Sequence, residues 1–208
     1  MDGLTWQARQ AAGGDRDALA SFVAQSQADV WRLCAHLVDA SSADDLTQEV
    51  YLRAIPALAS FRADASARTW LLAIARHTCM DELRRRTRSR ALFERLRRRA
   101  ETEATAEPDR SGVVAIDDAV SSLEPDRRDA FVLTQVLGLS YAETAEVCGC
   151  EVGTIRSRVS RARAELVGRL GESQARDQAR DQAGDQAGDQ AGDQAGDQAG
   201  DQAGSGSG

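Results

Sequence analysis

The stretch SYAETAEVCGCEVGTIRSRVSRARAEL, residues 140–166, contains two helical patterns separated by a glycine. Ser140 and Glu143 have the spacing of a capping box, which predicts the start of a first short helix. Gly149 predicts the turn that follows, and the apolar spacing of Ile155 and Val159 predicts a second helix. Two helices joined in this way form a helix-turn-helix motif, so the stretch predicts an all-helical module.

The second helix of this motif has an apolar face and a basic face. Its predicted inward positions are Val152, Ile155, Val159, Ala162 and Leu166. Its predicted DNA-facing positions are Gly153, Thr154, Arg156, Ser157, Arg158, Ser160 and Arg161. Small side chains let a helix lie close to base edges in the major groove, while arginines reach phosphates or guanines. A solvated amphipathic helix is the alternative, but only Glu165 stands near enough in sequence to neutralise these arginines.

Charge is distributed unevenly along the chain. The formal net charge of the 208 residues is −7, which alone would argue against a nucleic-acid partner. Residues 171–208, however, hold eight acids and two arginines, which leaves 25 acids and 24 arginines in residues 1–170. Residues 76–100 carry ten arginines against three acids, and residues 153–170 carry five against one. The acidity therefore belongs mainly to the tail, and two basic segments suit a polyanionic partner.

Helical periodicity also marks the chain before this motif, and strand alternation is almost absent. A first helix follows Asp15 or Asp17 and ends before a polar break at residues 39–42. A second helix begins with ADDLTQEVYLRAI, and Pro56 ends or kinks it. After a loop, a long helix starts at Thr69 and passes from an apolar half into an arginine-rich half. The sequence therefore predicts an all-α fold.

Breaks in this periodicity divide the chain into two small helical domains. Residues 1–90 form the first domain and residues 114–170 the second. Residues 91–113 lose periodicity and gain Glu, Thr, Pro and Gly, which predicts a flexible linker. Residues 171–208 include six tandem DQAG units and no apolar side chain larger than alanine. We therefore expect a low-complexity, disordered C-terminal tail.

Three segments together resemble the extracytoplasmic-function (ECF) group of bacterial RNA polymerase sigma factors. They are ADDLTQEVYLRAI at 43–55, SFRADASARTWLLAIARHTCMDELRRR at 60–86, and LEPDRRDAFVLTQVLGLSYAETAEVCGCEVGTIRSRVSRARAEL at 123–166. The resemblance implies an alternative sigma factor, with no catalytic activity and no cofactor. It implies a first domain that binds polymerase core and the downstream promoter element, and a second that binds the upstream element. It also makes an anti-sigma factor an expected partner, beside polymerase core and promoter DNA.

The resemblance also assigns individual positions. The polymerase-binding positions are Asp44, Asp45, Leu46, Gln48, Glu49 and Tyr51, whose ordinary roles would be helix capping and core packing. The downstream-element positions are Ala57, Ser60, Phe61, Trp70, Arg76, His77, Arg84, Arg85 and Arg86. Among them, Ala57, Ser60 and Phe61 match a loop that holds a base flipped out of the non-template strand. The apolar neighbours of Trp70 favour packing over base stacking. His77 stands where the family commonly has asparagine.

Two other functions fit parts of the sequence. A helix-turn-helix regulator that never joins polymerase would be expected to dimerise on a palindrome, but it would not need an acidic rim and a basic helix in its first domain. An enzyme is disfavoured because the chain has only two histidines, His36 and His77, no Gly-rich phosphate loop and no convincing Ser/Cys–His arrangement. We therefore expect no small-molecule substrate.

Cysteine spacing and hydropathy limit the remaining possibilities. Cys148-Gly-Cys150 lacks the usual two-residue zinc spacing, so we expect no metal site and four free thiols. No run approaches the roughly 18 apolar residues of a membrane span, and no charged head followed by an apolar run begins the sequence. We therefore expect a cytoplasmic protein without membrane insertion.

The acidic tail is either an accident of replication slippage or a decoy that competes with DNA for arginines. A flexible chain of this length has an end-to-end distance of about 35 Å, enough to reach the recognition helix. Its acids, however, are far sparser than duplex phosphates, which occur every ~1.7 Å. We expect deletion of residues 174–208 to change promoter affinity less than about twofold near physiological salt, where screening acts beyond about 8 Å. Titration of promoter DNA tests this, and a clear gain in affinity on deletion would make the tail autoinhibitory.

Overall fold

The structure, a computed structural model, describes residues 2–100 and 119–169, with side chains described except at 94–100. Within these ranges all regular structure is helical and no strand occurs. This agrees with the predicted all-α fold. The predicted tail at 171–208 and the predicted linker beyond residue 100 lie outside the described residues.

Residues 2–100 contain four α-helices. They are α1 (Gly3–Ala12), α2 (Arg16–Leu37), α3 (Ala43–Ala57) and α4 (Ala67–Ala100). Short 3-10 turns at Ala40–Ser42 and Leu58–Ser60 flank α3. The predicted cap of α2 is confirmed at Asp15, whose carboxylate accepts hydrogen bonds from the backbone N–H groups of Asp17 (2.9 Å) and Ala18 (3.0 Å). Helix α1 has no counterpart in the sequence-based prediction.

Two boundaries in this half differ from those predicted. Helix α3 continues one residue beyond Pro56, which was expected to end or kink it, before a 3-10 turn follows. Helix α4 begins at Ala67 and continues through residues 91–100, which were expected to be linker. That segment is rich in Arg, Leu, Ala and Glu, all strong helix formers. The loss of apolar periodicity there therefore does not mark the end of the helix.

The helix-turn-helix is confirmed in the second half of the chain. Helix α5 (Pro125–Phe131) runs on as a π-helical segment at Val132–Val136, α6 covers Tyr141–Cys148, and α7 covers 152–169. In the capping box of α6, Ser140 N–H donates to Glu143 Oε2 (2.8 Å) and Glu143 N–H donates to Ser140 Oγ (3.2 Å). Gly149 turns the chain at φ 65°, a conformation that favours glycine.

Each half has its own apolar core. Among the fully buried side chains, Phe22, Leu33, Leu37, Val50, Leu71 and Leu72 lie in helices α2–α4, and Leu123, Val132, Leu133, Val147 and Ile155 lie in the second half. Burial of each such side chain stabilises the fold by about 1.5–3 kcal/mol. Most of these residues come from α2, α3, α4, α6, α7 and the π-helical segment that follows α5, so the positions of α3, α4 and α7 are set by packing.

The two halves are in contact within one compact unit, Met1–Glu165. Arg76 Nε on α4 donates to Asp129 Oδ2 on α5 across 2.5 Å. Arg68 donates to the carbonyl of Leu137 (2.6 Å), and Arg128 donates to the carbonyl of Leu37 (3.2 Å). The sequence predicts two helical domains but not this packing between them. A second unit covers 166–208, of which the described residues 166–169 form the last turn of α7.

Candidate nucleic-acid and polymerase interface

Helix α7 is held by an apolar face that matches the predicted one. Ile155, Val159 and Ala162 are buried, with no more than 1% of any of them exposed. Val152, predicted to face inward, is instead 38% exposed. Val152 is the first residue of α7 and follows the turn at Gly149, so it lies before the part of the helix that packs on the core. The opposite face of α7 is therefore left to solvent.

This opposite face presents small residues and two arginines. Gly153, Ser157 and Ser160 are exposed, and Thr154 is partly exposed. Arg156 and Arg161 are exposed and form no ion pair or hydrogen bond with the residues that the structure describes. A basic helix face with small side chains at its centre has the shape and charge that the major groove accepts.

Arg158 is turned away from this face. Its guanidinium pairs with the carboxylate of Asp126 on α5 and contacts the Sγ of Cys150 at 3.7 Å, and only 22% of its side chain is exposed. The prediction that Arg158 faces DNA is therefore at odds with its placement. Glu165, the one acid that the sequence places near these arginines, accepts a hydrogen bond from Arg127 (3.0 Å). The sequence gives no local signal for Asp126, which lies 32 residues away.

This difference among the arginines of α7 is testable. Alanine at Arg156 or Arg161 is expected to weaken binding of the polymerase holoenzyme to upstream-element duplex by about 1–3 kcal/mol if the side chain reads a base. If it contacts a phosphate instead, the slope of affinity against salt should fall by about one. Arg158→Ala is the matched control and should change neither quantity beyond what its lost ion pair with Asp126 explains. Equal losses at all three positions would contradict the assignment of the face.

The predicted polymerase-binding positions fall on and beneath one face of α3. Asp44, Asp45 and Gln48 are exposed and Glu49 is partly exposed; we call these four residues the acidic rim. Asp44 accepts a hydrogen bond from Nε1 of Trp31 (2.9 Å), which holds one end of the rim against α2. Glu49 accepts from Arg53 (2.8 Å). Asp45 and Gln48 have no side-chain hydrogen bond or ion pair to described residues, so they are free to meet a partner.

Leu46 and Tyr51 lie beneath the acidic rim. Only 8% of each is exposed. The hydroxyl of Tyr51 is 2.7 Å from the hydroxyl of Ser26 on α2, and burial raises the pKa of Tyr51. Leu46 faces the core because it lies one helical turn before the fully buried Val50, and Tyr51 because it lies one turn after the buried Thr47. They support the rim and do not present a contact surface of their own.

A groove between α3 and the arginine-rich part of α4 adjoins the acidic rim. Its lining includes Asp45, Leu46, Glu49, Arg53, Asp81, Glu82, Arg85 and Arg86. Opposite charges meet across it where Arg53 on α3 donates to Asp81 on α4 (3.0 Å), and Arg53 also donates to Glu49 on its own helix (2.8 Å). These pairs are well exposed, so each contributes no more than about 1 kcal/mol. The groove is therefore a polar surface whose charges can exchange partners at little cost.

The predicted DNA-contacting arginines at the end of this groove differ in their surroundings. Arg86 donates to Asp39 (2.5 Å), to the hydroxyl of Ser42 (2.5 Å) and to Glu82 (2.7 Å). Burial opposes ionisation of Asp39, but hydrogen bonds from Ser41, Arg86 and Ser42 lower its pKa below the usual value. Arg86 therefore fastens the turn before α3 to α4.

Arg84 and Arg85, by contrast, remain on the exposed surface of α4. Arg85 donates to Glu82 (2.7 Å), and Arg84 lies 3.6 Å from Asp81. Both pairs are local, within one turn of the same helix, and both guanidiniums are largely in solvent, although only 11% of the Glu82 side chain is exposed. The exposed pair of Arg84 with Asp81 is weak, so that guanidinium can exchange its carboxylate for a phosphate. Arg85 holds Glu82 with two hydrogen bonds, so it can meet a phosphate with the N–H groups that this pair leaves exposed. These two arginines therefore fit the role that the resemblance assigns to them.

The predicted base-capture loop lies between α3 and α4. Ala57 and Phe61 are partly buried and Ser60 is exposed, with its hydroxyl donating to the carbonyl of Ala57 (2.9 Å). The rings of Phe61 and Trp70 are 5.1 Å apart at 46°, so Trp70 packs against an aromatic neighbour as the sequence indicates. Ala63, farther along the loop, is the one described non-glycine residue with positive φ, at 60°. A backbone of this kind persists where its surroundings fix it.

Arg76 and His77, adjacent on α4, have opposite environments. His77 is exposed, and its Nδ1 lies 2.7 Å from the carbonyl oxygen of Ala73. Only 12% of the Arg76 side chain is exposed, and Asp129 beside it is almost fully buried. Burial raises the pKa of Asp129, and the neighbouring charge of Arg76 opposes that rise. His77 is thus open to DNA, whereas Arg76 is engaged by the second half of the chain.

The four cysteines are free thiols. Cys34 and Cys79 are buried with their sulfurs 3.6 Å apart, and Cys148 and Cys150 are partly buried. Burial raises the pKa of Cys148 to about 12. Within residues 2–93 and 119–169, no group of three or more His, Cys, Asp or Glu side chains could hold a metal ion.

The combined features define a two-part DNA-binding protein: a helix-turn-helix with an open basic face, and a helical bundle with an acidic rim and a basic helix. The sigma-70 region 2 family matches residues 22–89, and the sigma-70 region 4 family matches residues 114–166. The chain belongs to the ECF group of sigma-70-type sigma factors, the subunits that direct bacterial RNA polymerase to promoters and are not themselves enzymes. Matches to both regions disfavour a regulator that never joins polymerase.

Curated relatives share most of the chain. A probable RNA polymerase sigma-C factor of Mycobacterium bovis is 50% identical over 171 residues, covering 80% of this chain and 90% of the relative. An ECF sigma factor EcfG of Rhodopseudomonas palustris is 34% identical, covering 67% and 77%. The ECF sigma-E factor of Escherichia coli is 32% identical, covering 72% and 85%.

Solved structures show the same fold. CnrH, solved in complex with the cytosolic domain of CnrY, is 26% identical with a TM-score of 0.64, covering 82% of this chain and 99% of that one. RpoE of Bartonella quintana, solved with the anti-sigma factor NepR, is 27% identical with a TM-score of 0.61, covering 74% and 96%. In the part of this chain that the structure describes, no helix is both long and apolar enough to span a bilayer.

Proposed function

We propose that two surfaces of the chain recognise the promoter and that a third surface binds polymerase core. Helix α7 reads the upstream element through Arg156 and Arg161, and the loop at Ala57–Phe61 with the exposed face of α4 reads the downstream element. The acidic rim of α3 binds polymerase core. The observation that carries this division is that each surface keeps charged or polar side chains exposed while its apolar neighbours are buried.

Promoter opening follows from binding energy alone in this proposal. Arg84 and Arg85 hold the phosphate backbone through contacts that weaken as salt rises. The loop with Phe61 then captures one unstacked base, which offsets the cost of a few kcal/mol for flipping it out of the duplex. The aromatic pair of Phe61 and Trp70 supplies an apolar wall for such a base, and Ser60 supplies a nearby hydroxyl.

We further propose a cytoplasmic location and control by an anti-sigma factor. The support for an inhibitor is the similarity to RpoE of Bartonella quintana, which was solved in complex with one. A protein that binds core polymerase and promoter DNA would work beside the chromosome, which supports a cytoplasmic location. Co-purification of the tagged chain from its own cells, in the presence and absence of promoter-inducing stress, would identify such an inhibitor.

Run-off transcription on a genomic library tests the proposed function directly. Purified core polymerase alone should give no specific transcripts, and core with this chain should initiate at sites that share paired upstream and downstream elements. Specific DNA binding by the chain without any specific initiation would contradict the proposal. The promoters recovered in this way supply the DNA for the measurements proposed below.

A further inference from the structure

Helix α1 contacts both ends of the base-capture loop. It packs mainly on α2, but it also touches the 3-10 turn at Leu58–Ser60, where the loop begins, and the start of α4, where the loop ends. The matched family regions begin at residue 22, so α1 lies outside them. A helix placed against both ends of a loop can fix the separation of those ends.

A chain of hydrogen bonds joins α1 to the first residue of α4. Thr5 N–H donates to Asp2 Oδ1 (2.9 Å), and the Thr5 hydroxyl donates to Asp2 Oδ2 (2.7 Å). The Thr5 oxygen in turn accepts a hydrogen bond from the backbone N–H of Ala67 (2.9 Å). Thr5 is 4% exposed and Ala67 is fully buried. The Thr5 hydroxyl thus donates a hydrogen bond to Asp2 and accepts one from Ala67.

Ala67 needs this outside acceptor because of its place in the helix. The first N–H groups of an α-helix have no partner within the helix. Ser66 already caps α4, since its Oγ accepts from Thr69 N–H (3.1 Å) and its carbonyl accepts from Trp70 N–H (3.0 Å). The buried N–H of Ala67 is satisfied by Thr5 instead, and a buried donor without an acceptor would be strongly unfavourable.

The segment held in this way carries the features proposed to capture a base. Phe61 leaves the 3-10 turn and packs against Trp70, and Ala63 takes positive φ between them. Loss of the bond between Thr5 and Ala67 would free the C-terminal end of the loop while α3 and α7 keep their own packing. The fraction of molecules with a competent loop would fall, and apparent affinity for the captured strand falls by the same factor.

We infer that Thr5 is a positioning residue for promoter opening, acting through Ala67 to hold the base-capture loop in its binding geometry. The inference rests on the proposed function of that loop. Thr5 touches no DNA in this account, and its role is to keep Phe61 and Trp70 in register. Helix α1 is accordingly part of the downstream-element site.

The test uses the full-length chain assembled with core polymerase. The probe is a single-stranded non-template oligonucleotide spanning the downstream element of a promoter recovered by run-off transcription. Thr5→Val should weaken holoenzyme binding to this oligonucleotide about tenfold, while affinity for core and for upstream-element duplex changes less than twofold. Thr5→Ser, which keeps the hydroxyl, should bind within twofold of the unaltered chain.

Further variants separate a local from a general effect. Thr134→Val is the matched control, because its buried hydroxyl bonds to the carbonyl of Ala130 (2.7 Å) in the other half, and it should leave oligonucleotide binding unchanged. Thr5→Ala removes the hydroxyl without adding a methyl clash and should reproduce the loss if Thr5→Val misfolds. Equal weakening of oligonucleotide, duplex and core binding would show a merely structural role and overturn the inference.

The same assay also tests the proposal that the loop captures a base. Phe61→Ala should weaken oligonucleotide binding, and unchanged binding would show that the loop does not capture a base at all. If Phe61→Ala weakens binding but Thr5→Val and Thr5→Ala do not, the loop assignment stands and the role of Thr5 is wrong.

Discussion

Replacement of Asp129 by alanine is expected to lower the free energy of unfolding of the compact unit by about 3–5 kcal/mol. The carboxylate accepts from Arg76 Nε at 2.5 Å, and the Arg76 side chain is only 12% exposed. An arginine stays protonated at any ordinary pH, so it cannot escape burial by losing its charge. The variant must either keep an uncompensated buried charge or separate the two halves. Urea denaturation followed by circular dichroism measures the loss.

Two further variants define what this loss means. Asp126→Ala on the same helix removes a more exposed ion pair with Arg158 and should cost no more than about 1 kcal/mol. The double variant Arg76→Met with Asp129→Leu replaces both charges by apolar groups and should recover most of the stability. A loss below about 1 kcal/mol for Asp129→Ala would show that this contact does not hold the halves together.

The pair also bears on DNA binding. The resemblance assigns Arg76 to the downstream element, but its guanidinium is bonded to Asp129 in this structure. Arg76 can contact DNA only if that pair separates. His77, one residue along, is exposed and needs no such change. Promoter binding through Arg76 would therefore require its pair with Asp129 to separate, whereas binding through His77 would not.

Features that depend on a few neighbouring residues were predicted well. The capping box at Ser140 and Glu143, the turn at Gly149 and the cap at Asp15 are patterns within a few residues, and all three occur. The buried positions Ile155 and Val159 follow from helical periodicity alone. Such features depend on backbone geometry and neighbouring side chains, which the sequence contains directly.

Features that depend on distant partners were not predicted. Arg158 meets Asp126 and Arg86 meets Asp39, and in each case the partner is brought close only by the fold. A helical wheel places Arg158 at the edge of the basic face, and no local pattern indicates the acid that draws it away. Helix α1 was missed for a related reason: its buried residues are the small Thr5 and Ala8, so it shows no apolar stripe.

The acidic rim gives the largest effect expected on assembly with polymerase. Arginine at both Asp45 and Glu49 is expected to weaken binding to core polymerase at least about a hundredfold, because an acidic rim suits a basic partner surface and the reversal would set like charges against it, at a cost of several kcal/mol. Asp45 is exposed and bonded to no described side chain, so its replacement disturbs little. Among the residues that the structure describes, Glu49 pairs only with the exposed Arg53, and loss of that pair costs less than about 1 kcal/mol.

The measurement is a titration of labelled chain with core polymerase at several salt concentrations. The binding defect should shrink as salt rises, because charges interact over about 10 Å at 0.1 M salt but over only about 3 Å at 1 M. Asp17→Arg, at an exposed acid on α2 away from the rim, is the matched control and should bind core within about twofold of the unaltered chain. Helical content should be the same in all three proteins. If the double reversal binds core as tightly as the control, the acidic rim is a helix-capping cluster and the polymerase surface lies elsewhere on the bundle.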